Sequence, residues 1–407
     1  MDRASTLHSL AGRAAGHRTR IRVAAVAAAG TVALTACSGT SGGDDAKGDS
    51  GSHRISVAPA SGASAVSVKK KVTVRAGSGK LTSVQVTAPG PGALHGSFSK
   101  DRSSWTSTAR LAPGVTYALT AGATASDGKK LTEHEKFTTA EPTKAQTVIG
   151  EYNVERDSTV GVGLPVSIVF NKPVTDKAAV ERRLRVTSSP AVVGAWSWLK
   201  DRNGKDRVDY RPRTYWKPGT KVSLRMNLDG VAAGGGLYGT QTRKIDFTVR
   251  KAVVTTVDVT KKSMTVTRDG EKLRTLPVST GKKGFETWNG TMVVLSKVPT
   301  IRMDSSTVGI FGPEAYDLGK VKWDVQLTTS GTYAHAAPWN EGKFGRVNGS
   351  HGCIGMSTSD AKWFFHQVHY GDPVTVVHSK DDTVPVNNGY GDWNVGWAEW
   401  QAGSALK

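Results

Sequence analysis

Apolar and polar residues alternate in short runs through most of this chain, and Gly, Pro and Ser break the runs. Between 55 and 140 they read "KKVTVRAG", "LTSVQVTAP", "VTYALTAGATA" and "KKLTEHEKFTTA". Between 148 and 250, "LPVSIVFNKPV", "RRLRVTSS", "RVDYRPRTYWKPGTKVSLRMNL" and "RKIDFTVRK" repeat the style without repeating the sequence. Period-two segments with frequent turn residues and no long helical pattern predict half-buried strands. Two small β-sandwiches are expected. Neither contains a grouping of Cys, His or paired acids that reads as a catalytic site, so both read as spacers.

The texture changes near residue 252. "VVTTVDVTKKSMTVTRDGEKLRTLPVSTG" predicts three strands, the last two joined by an Asp-Gly hairpin turn. One helix interrupts the strands that follow, in "STSDAKWFFHQVHYG" (357–371), where Ala361, Phe364, Phe365 and Val368 fall on one face. Ser357 with Asp360 predicts its start and Gly371 its stop. His366 and His369 fall opposite the apolar stripe. "DPVTVVH" returns as a strand, and the tail "GDWNVGWAEWQAG" sets Trp393, Trp397 and Trp400 at helix-like spacing, ready to pack on the body.

The amino terminus has a different character. Five arginines precede the apolar run "VAAVAAAGTVAL", which ends in "LTAC" (Leu34–Cys37). A charged region, a short apolar core and small residues before a cut define an export signal, too short to span a bilayer comfortably. "LTAC" resembles a bacterial lipoprotein box, which implies a signal over 1–36, cleavage before Cys37 and a lipid on its thiol; the alternative is an ordinary signal cut near Ala36. The polar stretch after Cys37 (37–54) is expected to be a flexible tether. Charge is just as uneven. The chain carries +20, but residues 37–250 hold 32 basic and 18 acidic groups against 17 and 15 in 251–407. Nucleic acid is not the expected partner outside the membrane; a basic front half suits anionic lipid headgroups and anionic wall polymers, and the alternative is a soluble surface with no specific partner.

Lipidation of Cys37 would leave Cys353 as a lone thiol in "NGSHGCIGMS". An inert cysteine is expected among apolar residues, not here. A nucleophilic cysteine needs a base for its proton and donors for the oxyanion it generates. His335, eighteen residues upstream at the end of the strand-like "GTYAH", is the better base. His351 neighbours the cysteine but its side chain is expected to diverge, so it reads as a residue that shapes the loop. Gly352 adds no side-chain bulk, which lets its amide and that of Cys353 point together at a carbonyl oxygen. Zinc on His335, His351 and Cys353 lacks a fourth ligand at a familiar spacing, so no metal and no other cofactor is implied.

His335, fourteen residues, then "SHGC" resembles the catalytic signature of the L,D-transpeptidases, the YkuD-type enzymes. "MDSST" (303–307), "SGTYAHAAPW" (330–339), "AKWFF" (361–365), "GDPV" (371–374) and "GDWN" (391–394) are similar to their multidomain actinobacterial type. The resemblance implies a mainly β chain with immunoglobulin-like domains at 55–142 and 143–250. After them come a β-rich catalytic domain with one main helix at 251–379 and a short Trp-rich subdomain at 380–407. It implies a Cys353 nucleophile, a His335 base and an imidazole oriented by the backbone carbonyl of Ala336, where the family often has serine. It further implies substrate contacts from Ser330, Gly331, Ser350 and Gly355, the last standing where the family often has asparagine. Tyr316 and Trp339 are expected as walls of a groove beneath a lid at 303–318. The implied reaction joins peptidoglycan stem peptides through 3→3 cross-links with release of D-Ala. The alternatives are an L,D-carboxypeptidase with water as acceptor, an enzyme attaching proteins to the wall, and a non-enzymatic wall-binding lipoprotein.

Overall fold

The computed structural model describes residues 54–406; the signal 1–36, Cys37 and nearly all of the tether lie outside the described residues. The chain is mainly β. Residues 55–140 form two four-stranded sheets. Their facing sides bury Val74, Leu81, Trp105, Tyr117, Leu119 and Phe137 in one core. The long strands Lys80–Ala88, Thr116–Thr124 and Lys130–Thr138 fall where alternation places them. A second sandwich pairs the sheet carrying Val166–Phe170 and Asp206–Pro212 with the sheet carrying Lys221–Asn227 and Thr242–Val249.

The third unit is built on two sheets. A five-stranded sheet runs, in spatial order, Glu271–Pro277, Ser263–Arg268, Val253–Asp258, Pro373–Val377 and Gly290–Val293. Its Asp269-Gly270 turn has both residues at positive φ, 51° and 88°, as a two-residue hairpin demands. A four-stranded sheet runs Ser296–Asp304, Asp317–Gln326, Tyr333–Ala336 and Ile354–Met356. The last two are parallel, a pairing that needs a crossover, here supplied by the loop 337–353. On these strands Ala334, Ala336, Ile354 and Met356 share a core with Ala361, Phe364 and Phe365 of the helix Thr358–Gln367 and with Val368 just past its end. Small Ala334 and Ala336 let the bulky helix face approach.

Two expectations change. The helix starts on Ser357, whose hydroxyl accepts from the Asp360 amide at 3.1 Å, but ends at Gln367 rather than at Gly371. Val368 turns extended and keeps its side chain in the core. Gly371 serves a different contact: at φ 91° it lies against the second sandwich, where an added Cβ would sit 2.7 Å from Leu164. His366 is exposed as expected, but His369 lies beyond the helix and is half-buried.

The second sandwich is also more than a spacer. Its core includes Val293 and packs on Val254, Tyr370, Tyr390 and Trp393 of the following unit. The tail binds the same face. Trp393 lies in the turn Asp392–Asn394, while Trp397 and Trp400 sit on the short helix Trp397–Ala402, so they do not share one helix. All three rings surround the Arg211 guanidinium at 4.9, 5.4 and 4.7 Å, a cation–π arrangement. Trp400 Nε1 donates to the Ala195 carbonyl at 3.0 Å. Period-two alternation marks which strand face is buried, not which partner buries it.

Candidate active site

The parallel pairing places Ala334 beside Ile354, His335 beside Gly355 and Ala336 beside Met356. Alternation sends Ala334 and Ala336 inward and turns Tyr333 and His335 to the opposite face. There His335 and Cys353, the residue before its partner strand, line one cavity of about 240 Å³. His335 is buried, and its Nδ1 donates to the Ala336 carbonyl at 2.8 Å. A carbonyl only accepts, so the proton is assigned to Nδ1 and the lone pair to Nε2.

Burial sets the electrostatics. It holds the His335 imidazole below its ordinary pKa, with the Ala336 carbonyl opposing in part. It pushes the Cys353 thiol up to about 11, against the Tyr333 amide, which favours the thiolate. Both groups are therefore neutral near pH 7. The sulfur accepts from the Tyr333 amide at 3.4 Å and donates weakly to the Gly331 carbonyl at 3.7 Å.

The loop before the cysteine is tied internally. Ser350 Oγ donates to the Cys353 carbonyl at 2.6 Å and accepts from the Gly352 amide at 3.2 Å. Its hydroxyl is thus spent on the loop, not offered to a substrate, although Ser350 does line the cavity. The same bond turns the Gly352 amide inward, away from the oxyanion duty expected of it. Gly352 is required by its φ of 108° more than by lack of bulk. Its carbonyl accepts from buried Thr287 Oγ1 at 2.9 Å.

His351 does diverge from the sulfur. Its Nε2 meets Glu314 Oε2 at 2.8 Å, and its ring lies between Phe285 and Tyr316, with centroids 4.7 and 5.0 Å away. Lys282 Nζ donates to the same carboxylate oxygen at 2.6 Å. His351 thereby fastens the cysteine loop to the expected lid, which contains the 3₁₀ turns Ser305–Val308 and Gly312–Glu314.

Tyr316 and Trp339 line the first cavity with Met303, Leu318, Asn340 and Gly355. Trp339 is exposed, its ring 5.9 Å from that of His335. At Gly355, Ala337 Cβ lies only 3.1 Å from where a side chain would begin, so the family's asparagine has little room. A second cavity, of about 250 Å³, opens on the other side of Cys353 and contains Ser330 and Gly331 with Arg302, Asp304 and Tyr333. Met303 and Tyr316 face both cavities, so Cys353 stands where they meet.

The sequence reading missed Met303, Leu318 and Asn340, ordinary residues without a chemical signature. It also missed Asp324. That carboxyl is fully buried, neither oxygen has a hydrogen-bond partner of normal geometry, and burial pushes it up to about 7.

Residues 252–376 match the family model of the L,D-transpeptidase catalytic domain, and residues 63–232 match that of a bacterial Ig domain. L,D-transpeptidase 2 of Mycobacterium tuberculosis (strain CDC 1551 / Oshkosh) is 36% identical over 357 residues, 86% of this chain and 85% of that protein. L,D-transpeptidase 5 of the same species (strain ATCC 25618 / H37Rv) is 33% identical over 356 residues, 87% and 77%. A solved structure of LdtMt1 in complex with imipenem covers 58% of this chain and 100% of its own, at 35% identity and a TM-score of 0.50. Fold and relatives define an enzyme of the acyltransferase type. The chain belongs to the L,D-transpeptidase family.

Proposed function

We propose that this protein forms 3→3 cross-links between peptidoglycan stem peptides through a thioester on Cys353. One observation carries the reading. The parallel pairing of Tyr333–Ala336 with Ile354–Met356 puts the thiol and the imidazole in one cavity, with Nδ1 committed to Ala336 and Nε2 left to act.

A thiol at about 11 is not a resting thiolate, so proton transfer accompanies attack. His335 Nε2 takes the proton as sulfur bonds to the carbonyl carbon at the L-centre of the position-3 diamino acid. The C–N bond to D-Ala then breaks, and the imidazolium returns the proton to the leaving nitrogen. The side-chain amine of a neighbouring stem's third residue attacks the thioester, again losing its proton to Nε2, and sulfur leaves as the thiol. The Cys353 amide would hold the oxyanion, with a donor from the 303–318 segment. The two cavities meeting at the sulfur support two peptides reaching it from opposite sides. Water in the second step would make an L,D-carboxypeptidase.

We further place the enzyme outside the cell, anchored to the outer face of the cytoplasmic membrane by a lipid on Cys37, with its site in the wall. Anionic wall polymer is the partner proposed for the basic sandwiches. Its support is a cleft of about 450 Å³ lined by Arg110, Arg182 and Arg183 with no carboxylate.

The test is intact-mass analysis after incubation with a carbapenem, joined to mass spectrometry of muropeptides from treated sacculi. Wild type is expected to gain one adduct and to make 3→3 dimers; Cys353→Ser does neither. Turnover by Cys353→Ser at the wild-type rate would falsify the nucleophile assignment.

A further inference from the structure

The turn between Asp317–Gln326 and Tyr333–Ala336 touches the nucleophile twice. The Gly331 carbonyl faces the thiol, and the Tyr333 amide faces the sulfur. Both contacts bear on reactivity in opposite senses: a carbonyl favours S–H, an amide favours the thiolate. The aim of this turn therefore matters to the chemistry; its own sequence, "LTTSGTY", closes it locally, with the Leu327 amide on the Thr332 carbonyl at 2.9 Å and the Gly331 amide on the Thr328 carbonyl at 3.4 Å.

A second anchor comes from the tail. Asn388 is buried, 1% exposed, and turns both ends of its amide to the turn. Its Oδ1 accepts from the Ser330 amide at 2.9 Å and the Thr329 hydroxyl at 3.1 Å. Its Nδ2 donates to Ser330 Oγ at 2.8 Å. Inside the turn, Ser330 Oγ lies 3.1 Å from Thr328 Oγ1, which accepts from the Thr332 amide at 2.9 Å. Gly331 is pressed from the other side: at φ 103°, a Cβ there would sit 2.4 Å from Val308 of the lid. Behind Asn388, Arg202 Nη1 of the second sandwich reaches Oδ1 at 3.4 Å, and buried Arg207 Nη1 donates to the Gly389 carbonyl at 2.8 Å. Asn388 does not itself line the cavity that Thr329, Ser330 and Gly331 line.

We propose that Asn388 is a positioning residue for the Cys353 thiol, acting through the 328–333 turn, and that it makes the tail and the second sandwich part of the catalytic frame. The proposal rests on Cys353 as the nucleophile. A side chain of an element remote in sequence holds the turn by both of its edges, and the turn holds the sulfur by both of its polar contacts. Displacement of a reacting group by about 1 Å costs on the order of 10²-fold in rate.

The experiment uses the full chain and a carbapenem as probe. It measures the first-order acylation constant at saturation, the carbapenem concentration for half-saturation, and the pH dependence of thiol reaction with a small neutral disulfide. Asn388→Leu keeps size and removes every polar contact. It is expected to lower the acylation constant about 10²-fold, to leave half-saturation largely in place and to shift the thiol pH profile. Asn388→Asp keeps the acceptor for Ser330 and Thr329, while the Ser330 hydroxyl can rotate to donate to its second oxygen; it is expected to act near wild type. Where the leucine variant does not fold, Asn388→Ala is read the same way. A lower melting temperature with unchanged acylation constant and unchanged pH profile overturns the proposal, because a merely structural role moves stability alone. Absence of any adduct on wild type would instead remove the nucleophile reading on which this one rests.

Discussion

The His335 imidazole donates through Nδ1 to the carbonyl of its own neighbour, Ala336, at 2.8 Å. The proposed base is therefore oriented by backbone, and the side chain at 336 is free to be small enough for the core beneath it. The acylation constant should depend on pH through His335. Burial lowers its pKa from the ordinary 6.5, and the neutral form is the one that accepts a proton. The rate is expected to rise with pH to a midpoint below 6.5 and then stay flat, since the thiol at about 11 does not ionise in that range. A descending limb near neutrality would show that an imidazolium–thiolate pair is the active form. His335→Ala should lose about 10²–10⁴-fold.

His351 should matter less. It binds Glu314 rather than the sulfur, so His351→Ala is expected to loosen the loop and lower acylation by less than His335→Ala does. Glu314→Gln keeps an acceptor for Nε2–H and should be milder still. Side-by-side acylation constants for the three variants decide the order; His351→Ala as the most damaging would exchange the two histidine roles.

Asp324 makes stability depend on pH. Its folded pKa is raised from 3.8 to about 7 by burial. The native state therefore holds a proton that the unfolded chain releases between about pH 4 and 7. Stability is full below that window and falls as pH rises through it. Asp324→Asn should abolish this component, so the variant's advantage in denaturant melts should be small at pH 4 and largest at pH 8. A difference that does not change with pH would place the proton elsewhere.

Arg207 is the charged centre of the joint between sandwich and tail. It is nearly fully buried, bidentate with Asp209, with its third arm on the Gly389 carbonyl. Removing it leaves Asp209 buried without its partner, a loss of about 3–5 kcal/mol in comparable sites. Arg207→Met should lower the melting temperature and open residues 386–406 to hydrogen exchange before the rest unfolds. Unchanged exchange there would mean that the Trp400 and Arg211 contacts hold the tail unaided.

Wall binding should reside in the arginine cleft. Because the catalytic unit shares its core with the second sandwich, the full chain is the right object for this test. Arg110→Gln, Arg182→Gln and Arg183→Gln together should weaken pelleting with sacculi that retain anionic polymer. Acylation should be untouched, and the salt dependence of binding should flatten, since exposed charges are screened over about 8–10 Å at physiological ionic strength. Equal pelleting of variant and wild type would leave recognition to the catalytic groove.

The sequence by itself determined what local pattern and chemistry can carry. Alternation placed the long strands, Asp269-Gly270 placed a hairpin, and Ser357 opened the helix, because each depends on residues within a few positions. That His335 and the "SHGC" loop would come together was legible as well, since the proposed chemistry needs particular residue types at both ends, and they line one cavity. Tertiary structure alone decided the rest. The helix stopped early because Val368 had a core to enter, and Gly371 was reserved for a neighbour more than two hundred residues earlier in the chain. Ser350 and Gly352 turned out to bond one another, which no spacing reveals. Asn388, an asparagine in a tail that looked merely aromatic, reaches the 328–333 turn through hydrogen bonds to Ser330, with Arg202 of the second sandwich behind it. Periodicity records which side of an element is buried; the identity of the partner, and the polar groups that meet there, follow from packing between segments distant in sequence.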